Sequence, residues 1–176
     1  MYVDCGAFDG DSVRKYFDFV RDDTVKVLAI EPDPGNYESL KNNWRNFENV
    51  TCVLCGVWDK DGELYFSDDG HQDSHFDEQG ETKISVRNID GLVGEDKVSF
   101  IKMDVEGAEL KVLQGAEKII RRDKPILAIS AYHLPEDLAV LPKKIREFDP
   151  EGDYKFYLRH HGVTVAELVL YAIPKI

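Results

Sequence analysis

Basic residues are scarce in this chain, cysteines scarcer, and long apolar runs are missing altogether. No stretch approaches the ~20 apolar residues of a membrane span. The N-terminus carries Asp4 and Asp9 where a secretory signal needs basic residues, so no leader is predicted. The 22 Lys and Arg stand against 34 Asp and Glu, a formal charge of −12. That balance excludes the basic footprint of a general nucleic-acid binder and adsorption to an anionic membrane. The three cysteines, Cys5, Cys52 and Cys55, are too few for a disulfide framework and fit reduced thiols in the cytoplasm. Cys52 and Cys55 have the spacing of a redox pair. They lie in an apolar run, Val50 to Val57, that reads as a strand, whereas redox pairs open helices. They are therefore assigned to the core.

What remains is soluble and globular: 176 residues, 43% hydrophobic and 32% charged. The length suits one domain, residues 1–176, able to bury about 68–70% of its unfolded surface without staples.

Strand and helix patterns alternate. Tyr2–Asp4 reads as a strand end, and Asp11–Ser12 as the cap of a helix with Val13, Tyr16, Phe17 and Val20 on one face. Val25–Ile30 is a second strand, followed by a helix bearing Tyr37, Leu40, Trp44 and Phe47. Val50–Cys55 is a third strand. Asp59–Gly62 reads as a hairpin turn into Leu64–Phe66, and Lys83–Val86 as the returning strand. Val98–Asp104 is a strand, and one helix carries Leu110, Leu113, Ala116 and Ile120. Ile126–Ala131 is a strand, and a helix around Pro142–Phe148 places Pro142 in its first turn. Tyr154–Leu158 and Glu167–Ala172 close the fold as an antiparallel pair at one edge. Alternation predicts an α/β fold, a mostly parallel sheet with helices on both faces.

In such folds ligands bind at the carboxyl ends of the strands. The first strand ends in Asp4-Cys5-Gly6-Ala7-Phe8-Asp9-Gly10. Gly6 permits a tight turn there, and Gly10 a close helix–strand approach. Glu31, ending the second strand, is placed to accept hydrogen bonds from ribose hydroxyls. The pattern points to a nucleoside ligand. Asp4, Asp9 and Asp11 would repel a pyrophosphate, and the full dinucleotide glycine pattern is missing. The same carboxylates suit the sulfonium and ammonium of S-adenosylmethionine and disfavour NAD. Farther on, Asp104 and Glu106 lie beyond a strand end. They are candidates for orienting a hydroxyl, acting as general base or holding a divalent cation, although no metal site is assigned. Glu109 opens a helix, where a carboxylate also favours the dipole. His133 follows the fifth strand and is a third candidate base. Ser67–Glu81 is acidic throughout. It reads as a solvated loop or a lid over substrate, with His71, Ser74 and His75 in it. His160 and His161 sit at a strand end and carry no catalytic assignment.

Tyr2-Val3-Asp4-Cys5-Gly6-Ala7, Ile30-Glu31-Pro32-Asp33-Pro34 and Ile101-Lys102-Met103-Asp104-Val105-Glu106-Gly107-Ala108-Glu109 together resemble the FkbM family of S-adenosylmethionine-dependent methyltransferases. Ala131-Tyr132-His133 and Tyr157-Leu158-Arg159-His160-His161 are similar to it too. The resemblance covers essentially the whole chain. It implies a Rossmann-like class I methyltransferase fold with a seven-stranded sheet, and methyl transfer, usually to oxygen, on a sugar or secondary metabolite. By position, Asp4, Gly6, Ala7, Asp9, Gly10 and Ser12 would surround the methionine part. Glu31 would bind the ribose, Pro32, Asp33 and Val57 would lie near the adenine, and Asp104, Glu106 and His133 near the transferred methyl. Phe8 departs from the glycine or small polar residue common at its position. The competing reading is a catalytically silent nucleoside-binding or scaffold domain. Methyltransferases commonly have helices before the first strand. The resemblance therefore implies a trimmed core of a longer protein, or a lid taken from a partner or a second copy.

Overall fold

The computed structural model describes residues 1–22, 24–67, 75–76, 82–162 and 167–175. In chain order the first elements are β1 (Tyr2–Cys5), α1 (Asp11–Val20), β2 (Val27–Glu31), α2 (Pro34–Trp44) and β3 (Val50–Leu54). Four short strands follow: β4 (Gly56–Val57), β5 (Gly62–Ser67), β6 (His75–Phe76) and β7 (Thr82–Arg87). The remainder comprises α3 (Ile89–Val93), β8 (Phe100–Met103), α4 (Glu109–Gln114), α5 (Glu117–Asp123), β9 (Ile126–Ser130), α6 (Asp137–Phe148), β10 (Tyr154–His160) and β11 (Leu168–Pro174).

The main sheet has seven strands in the order β10-β11-β9-β8-β1-β2-β3. All run parallel except β11, which is antiparallel to both β9 and β10. The chain leaves β1 toward β2 and β3 and later returns to β8 on the other side of β1. That reversal makes a crevice at the carboxyl ends of β1 and β8. One face of β1 and β2 packs Tyr2, Val27 and Ala29 against Val13 of α1 and Leu40 and Trp44 of α2. The opposite face holds the larger core, where Val3, Ile30, Ile101, Leu127 and Ile129 meet Val112, Leu113, Ile119 and Ile145. Burying each such side chain contributes about 1.5–3 kcal/mol. Toward the far edge, the first face carries Ala128, Tyr171 and Tyr157 in register, and Tyr157 is 46% exposed.

Several local expectations are corrected. Gly10, left-handed at φ 87°, caps α1, and no side chain does. A Cβ there would lie 2.0 Å from Trp44 Nε1, so the helix can start this close to α2 only with glycine. Phe47 lies beyond α2, its ring 4.9 Å from that of Trp44. The expected hairpin does not form: β4 pairs parallel and β5 antiparallel with β7, on its two sides. Asp61 instead accepts from the Asn88 amide (2.9 Å) and side chain (2.7 Å), tying the turn to the start of α3. The single helix after β8 is two, α4 and α5. Gly115 between them passes so close to Trp58 that a Cβ would lie 2.1 Å from its carbonyl oxygen. α6 starts at Asp137, so Pro142 is interior rather than in the first turn. Asp137 fixes that earlier start by accepting from the Leu134 amide (3.0 Å), while its own amide donates to the Leu134 carbonyl (3.1 Å). The expected lid at 67–81 lies almost wholly outside the described residues, with His71 and Ser74; only the pairing of β6 with β5 is described.

Candidate functional site

The loop after β1 lies directly on the end of β8. Gly6 has φ 75°, and a Cβ there would sit 1.9 Å from the Asp104 carbonyl oxygen. The loop's amides face inward. Gly6 and Ala7 both donate to Ile30 O (3.0 Å each), Phe8 to Glu31 Oε2 (2.9 Å), Gly10 to Ala7 O (2.7 Å) and Asp11 to Asp9 Oδ1 (3.1 Å). A phosphate-binding loop needs those N–H groups aimed at the ligand. This one engages them within the protein, a second reason beyond charge that it does not suit a pyrophosphate. Phe8 takes a left-handed backbone, φ 51°, and its side chain is 58% exposed.

The acids at the strand ends divide by burial. Asp4 is fully buried beneath the loop. Its Oδ1 lies 3.3 Å from Lys102 Nζ, an ion pair without hydrogen-bond alignment, and neither oxygen has an aligned partner among the described residues. Burial pushes the Asp4 carboxyl up, and the Lys102 charge opposes this. Lys102 Nζ donates to Gly6 O at 2.7 Å and lies 3.8 Å from Asp104 Oδ2. Burial pulls the Lys102 pKa down, but Asp4 and Asp104 outweigh it and the ammonium is held charged. Glu31 accepts from the Phe8 amide, from the Asp33 amide (3.1 Å) and from Asn36 Nδ2 (3.4 Å). It thereby ties the loop to the start of α2. Burial raises its pKa against those bonds. Asp33 accepts from Asn36 N (2.8 Å) as the cap of α2, beside half-buried Pro32. Asp9 and Ser12 stand at the mouth of the loop, Ser12 Oγ on Asp11 Oδ1 at 3.3 Å. Val57 packs its side chain into the large core, leaving no side-chain surface for an adenine.

Beyond β8 and β9 a second cluster converges. His133 Nδ1 lies 2.7 Å from Glu109 Oε1, which also accepts from the Val105 amide (3.1 Å). His133 Nε2 faces Glu106 Oε2 at 3.2 Å and Asp104 Oδ1 at 3.8 Å. Tyr132 Oη donates to Asp104 Oδ1 at 3.3 Å. Glu109 is fully buried, whereas the Asp104 and Glu106 side chains are 34% and 46% exposed. Burial pulls the His133 pKa down, but Glu106 and Glu109 outweigh it and raise it to about 10. At neutral pH the ring is an imidazolium, with its proton already in place. Glu109 holds the ring in place. Donor atoms of Asp104, Glu109 and His133 lie within 4.8 Å of one another, the size of a metal site. A metal there would need neutral imidazole and would take the place of the ring's proton.

Lys102 and Tyr132 carry no assignment in the sequence reading. The signal for Lys102 was there: a single charge inside the apolar run Val98–Met103. The cysteines carry no reactive signature. Cys5 and Cys55 are buried, and burial pushes the Cys55 thiol up to about 11. His161 Nε2 pairs with Tyr171 Oη at 2.9 Å on β11. No described helix is long and apolar enough to cross a membrane.

The profile of the Methyltransferase FkbM domain matches residues 4–156. The crystal structure of an FkbM methyltransferase from Methylobacillus flagellatus KT is similar, with 34% sequence identity and a TM-score of 0.81. The match covers 97% of this chain and 42% of that one. Methyltransferase 1 of Beauveria bassiana (strain ARSEF 2860) is 26% identical over 121 residues, 52% of this chain and 49% of that protein. Fibrillarin of Aeropyrum pernix, solved with bound S-adenosyl-L-methionine, shares the fold at 12% identity and a TM-score of 0.59. That match covers 98% of this chain and 65% of fibrillarin. The chain spans about half the length of the curated relative and less than half of the FkbM structure.

Proposed function

Because the chain belongs to the FkbM family of S-adenosylmethionine-dependent methyltransferases, we propose that it methylates a hydroxyl on a small molecule or carbohydrate. The observation that carries this reading is the convergence, at one sheet crevice, of an anionic glycine loop, Glu31 and the Asp104–Glu106–His133 cluster. The fit to the cofactor is chemical. A loop with its amides turned inward and carboxylates around it suits a cation without phosphate.

S-adenosylmethionine supplies a methyl group already activated by its sulfonium. Glu31 is the ribose acceptor, since its Oε2 accepts only the Phe8 amide and keeps a lone pair. Pro32 and Asp33 border the adenine, and Asp4, Gly6, Ala7, Asp9, Gly10 and Ser12 form the floor and mouth for the methionine part. Asp104 and Glu106, half open to the crevice, take up the acceptor hydroxyl's proton. The His133 imidazolium, fixed by Glu109, aims and balances these carboxylates. Aligning hydroxyl, methyl and sulfur is the main task, and alignment can supply roughly 7–11 kcal/mol.

Calorimetry tests the reading. S-adenosylmethionine or S-adenosylhomocysteine binds, NAD does not, and Glu31→Ala weakens the binding by roughly tenfold or more through lost charged hydrogen bonds. Unchanged affinity in that variant would remove the ribose assignment. Methylated product from a panel of hydroxylated sugars and metabolites identifies the enzyme. Cofactor binding with no turnover of any acceptor would instead favour the silent binding domain.

A further inference from the structure

We infer that Lys102 is the recognition subsite for the α-carboxylate of the cofactor's amino-acid portion, with Asp104 beside it for the α-ammonium. This rests on the cofactor reading above and names a residue which that reading leaves unused.

Lys102 lies mid-strand on β8, in register with Asp4 on β1, so both side chains rise from the same sheet face. The ammonium is delivered to the strand ends, where it donates to Gly6 O at 2.7 Å and pairs with Asp4 at 3.3 Å. An ammonium has three N–H donors. One points at Gly6 O, the Asp4 contact lacks hydrogen-bond alignment, and Asp104 Oδ2 at 3.8 Å is beyond hydrogen-bond distance. The Lys102 side chain retains 18% exposure.

An α-carboxylate entering this crevice has few other partners. The amides of Gly6, Ala7, Phe8, Gly10 and Asp11 are engaged within the protein. The stretch Asp4–Ser12 contains no Lys or Arg. His133 is clasped by Glu106 and Glu109. Lys102 and Asp104 thus present a cation and an anion side by side, the complement of an amino-acid zwitterion. The same geometry explains fully buried Asp4. Asp4 acts as a positioning residue, holding the Lys102 ammonium at the crevice floor.

The test compares three ligands by calorimetry: S-adenosylhomocysteine, its decarboxylated analogue, and 5′-methylthioadenosine, which lacks the amino-acid carbons. Wild type should prefer S-adenosylhomocysteine over the decarboxylated analogue by roughly ten- to a hundredfold, the worth of a charged hydrogen bond. Lys102→Met should abolish that preference while leaving 5′-methylthioadenosine affinity within about twofold. If Lys102→Met fails to fold with Asp4 unpaired, the double variant Asp4→Asn/Lys102→Met removes both charges and is measured in its place. The ligand comparison in wild type needs no variant at all. Equal wild-type affinity for the carboxylated and decarboxylated ligands overturns the inference, as does a preference that survives loss of Lys102. Binding of 5′-methylthioadenosine in those cases leaves the cofactor reading standing. Binding of none of the three removes both.

Discussion

His133 carries its proton because three carboxylates surround it, and that ties stability to pH. Its pKa of about 10 in the fold exceeds the ~6.5 of an unfolded histidine. The contribution is therefore full below about pH 6.5 and is lost as the pH rises through about 10. Denaturant midpoints of wild type and His133→Asn should differ most near pH 6 and converge toward pH 10. A gap that stays constant over this range would show that the ring is not held protonated. At this scale the sequence was partly legible. Asp104, Glu106 and His133 sit in short motifs at strand ends, and position alone picked them out. The state of His133 could not be read that way, because Glu109 and Glu106 become its neighbours only after β8 and β9 pair. Lys102 shows the opposite case. A charge inside an apolar strand was visible in the sequence, but its partners across the β1–β8 ladder were not.

Elements were legible where local chemistry decides them. Apolar runs placed the seven main strands within a residue or two, and the antiparallel return of the last two strands followed from the missing crossover. Boundaries set by distant contacts were not legible. The helical pattern breaks at Gly115, where Trp58, far away in sequence, occupies the space a side chain would need. Pro142 misdirects for a related reason. Proline normally marks a first turn, but here the reciprocal bonds of Leu134 and Asp137 start α6 five residues earlier. The helix therefore carries an interior proline without an N–H for the preceding turn. Pro142→Ala should stabilise the protein by about 1–3 kcal/mol, measured by chemical denaturation. A neutral or destabilising result would mean that the ring's packing or its constraint on the unfolded chain outweighs the missing bond.

At the scale of the molecule the two sheet faces are unlike. One is covered by α3–α6 over a large core. On the other, α1 and α2 cover β1–β3, while Tyr157 toward the β10 edge is 46% exposed. Tyr157→Lys should change stability by no more than about 0.5 kcal/mol, as expected at an open surface position. A larger loss would show that this part of the face is covered in solution. The net charge of −12 also acts at this scale. It keeps the surface acidic, and the crevice shares that sign, which favours a cationic ligand over a nucleotide phosphate.

β11 lies between β9 and β10, although both precede it in the chain. During vectorial synthesis β10 therefore leaves the ribosome with nothing to pair against. It must wait until β11 has emerged to pair with it. Until then the growing chain holds an unpaired strand and an open flank on β9, features that invite pairing with other nascent chains. Closure of this corner thus follows the emergence of β11. Chaperone dependence, if the protein has any, should concentrate on that short interval.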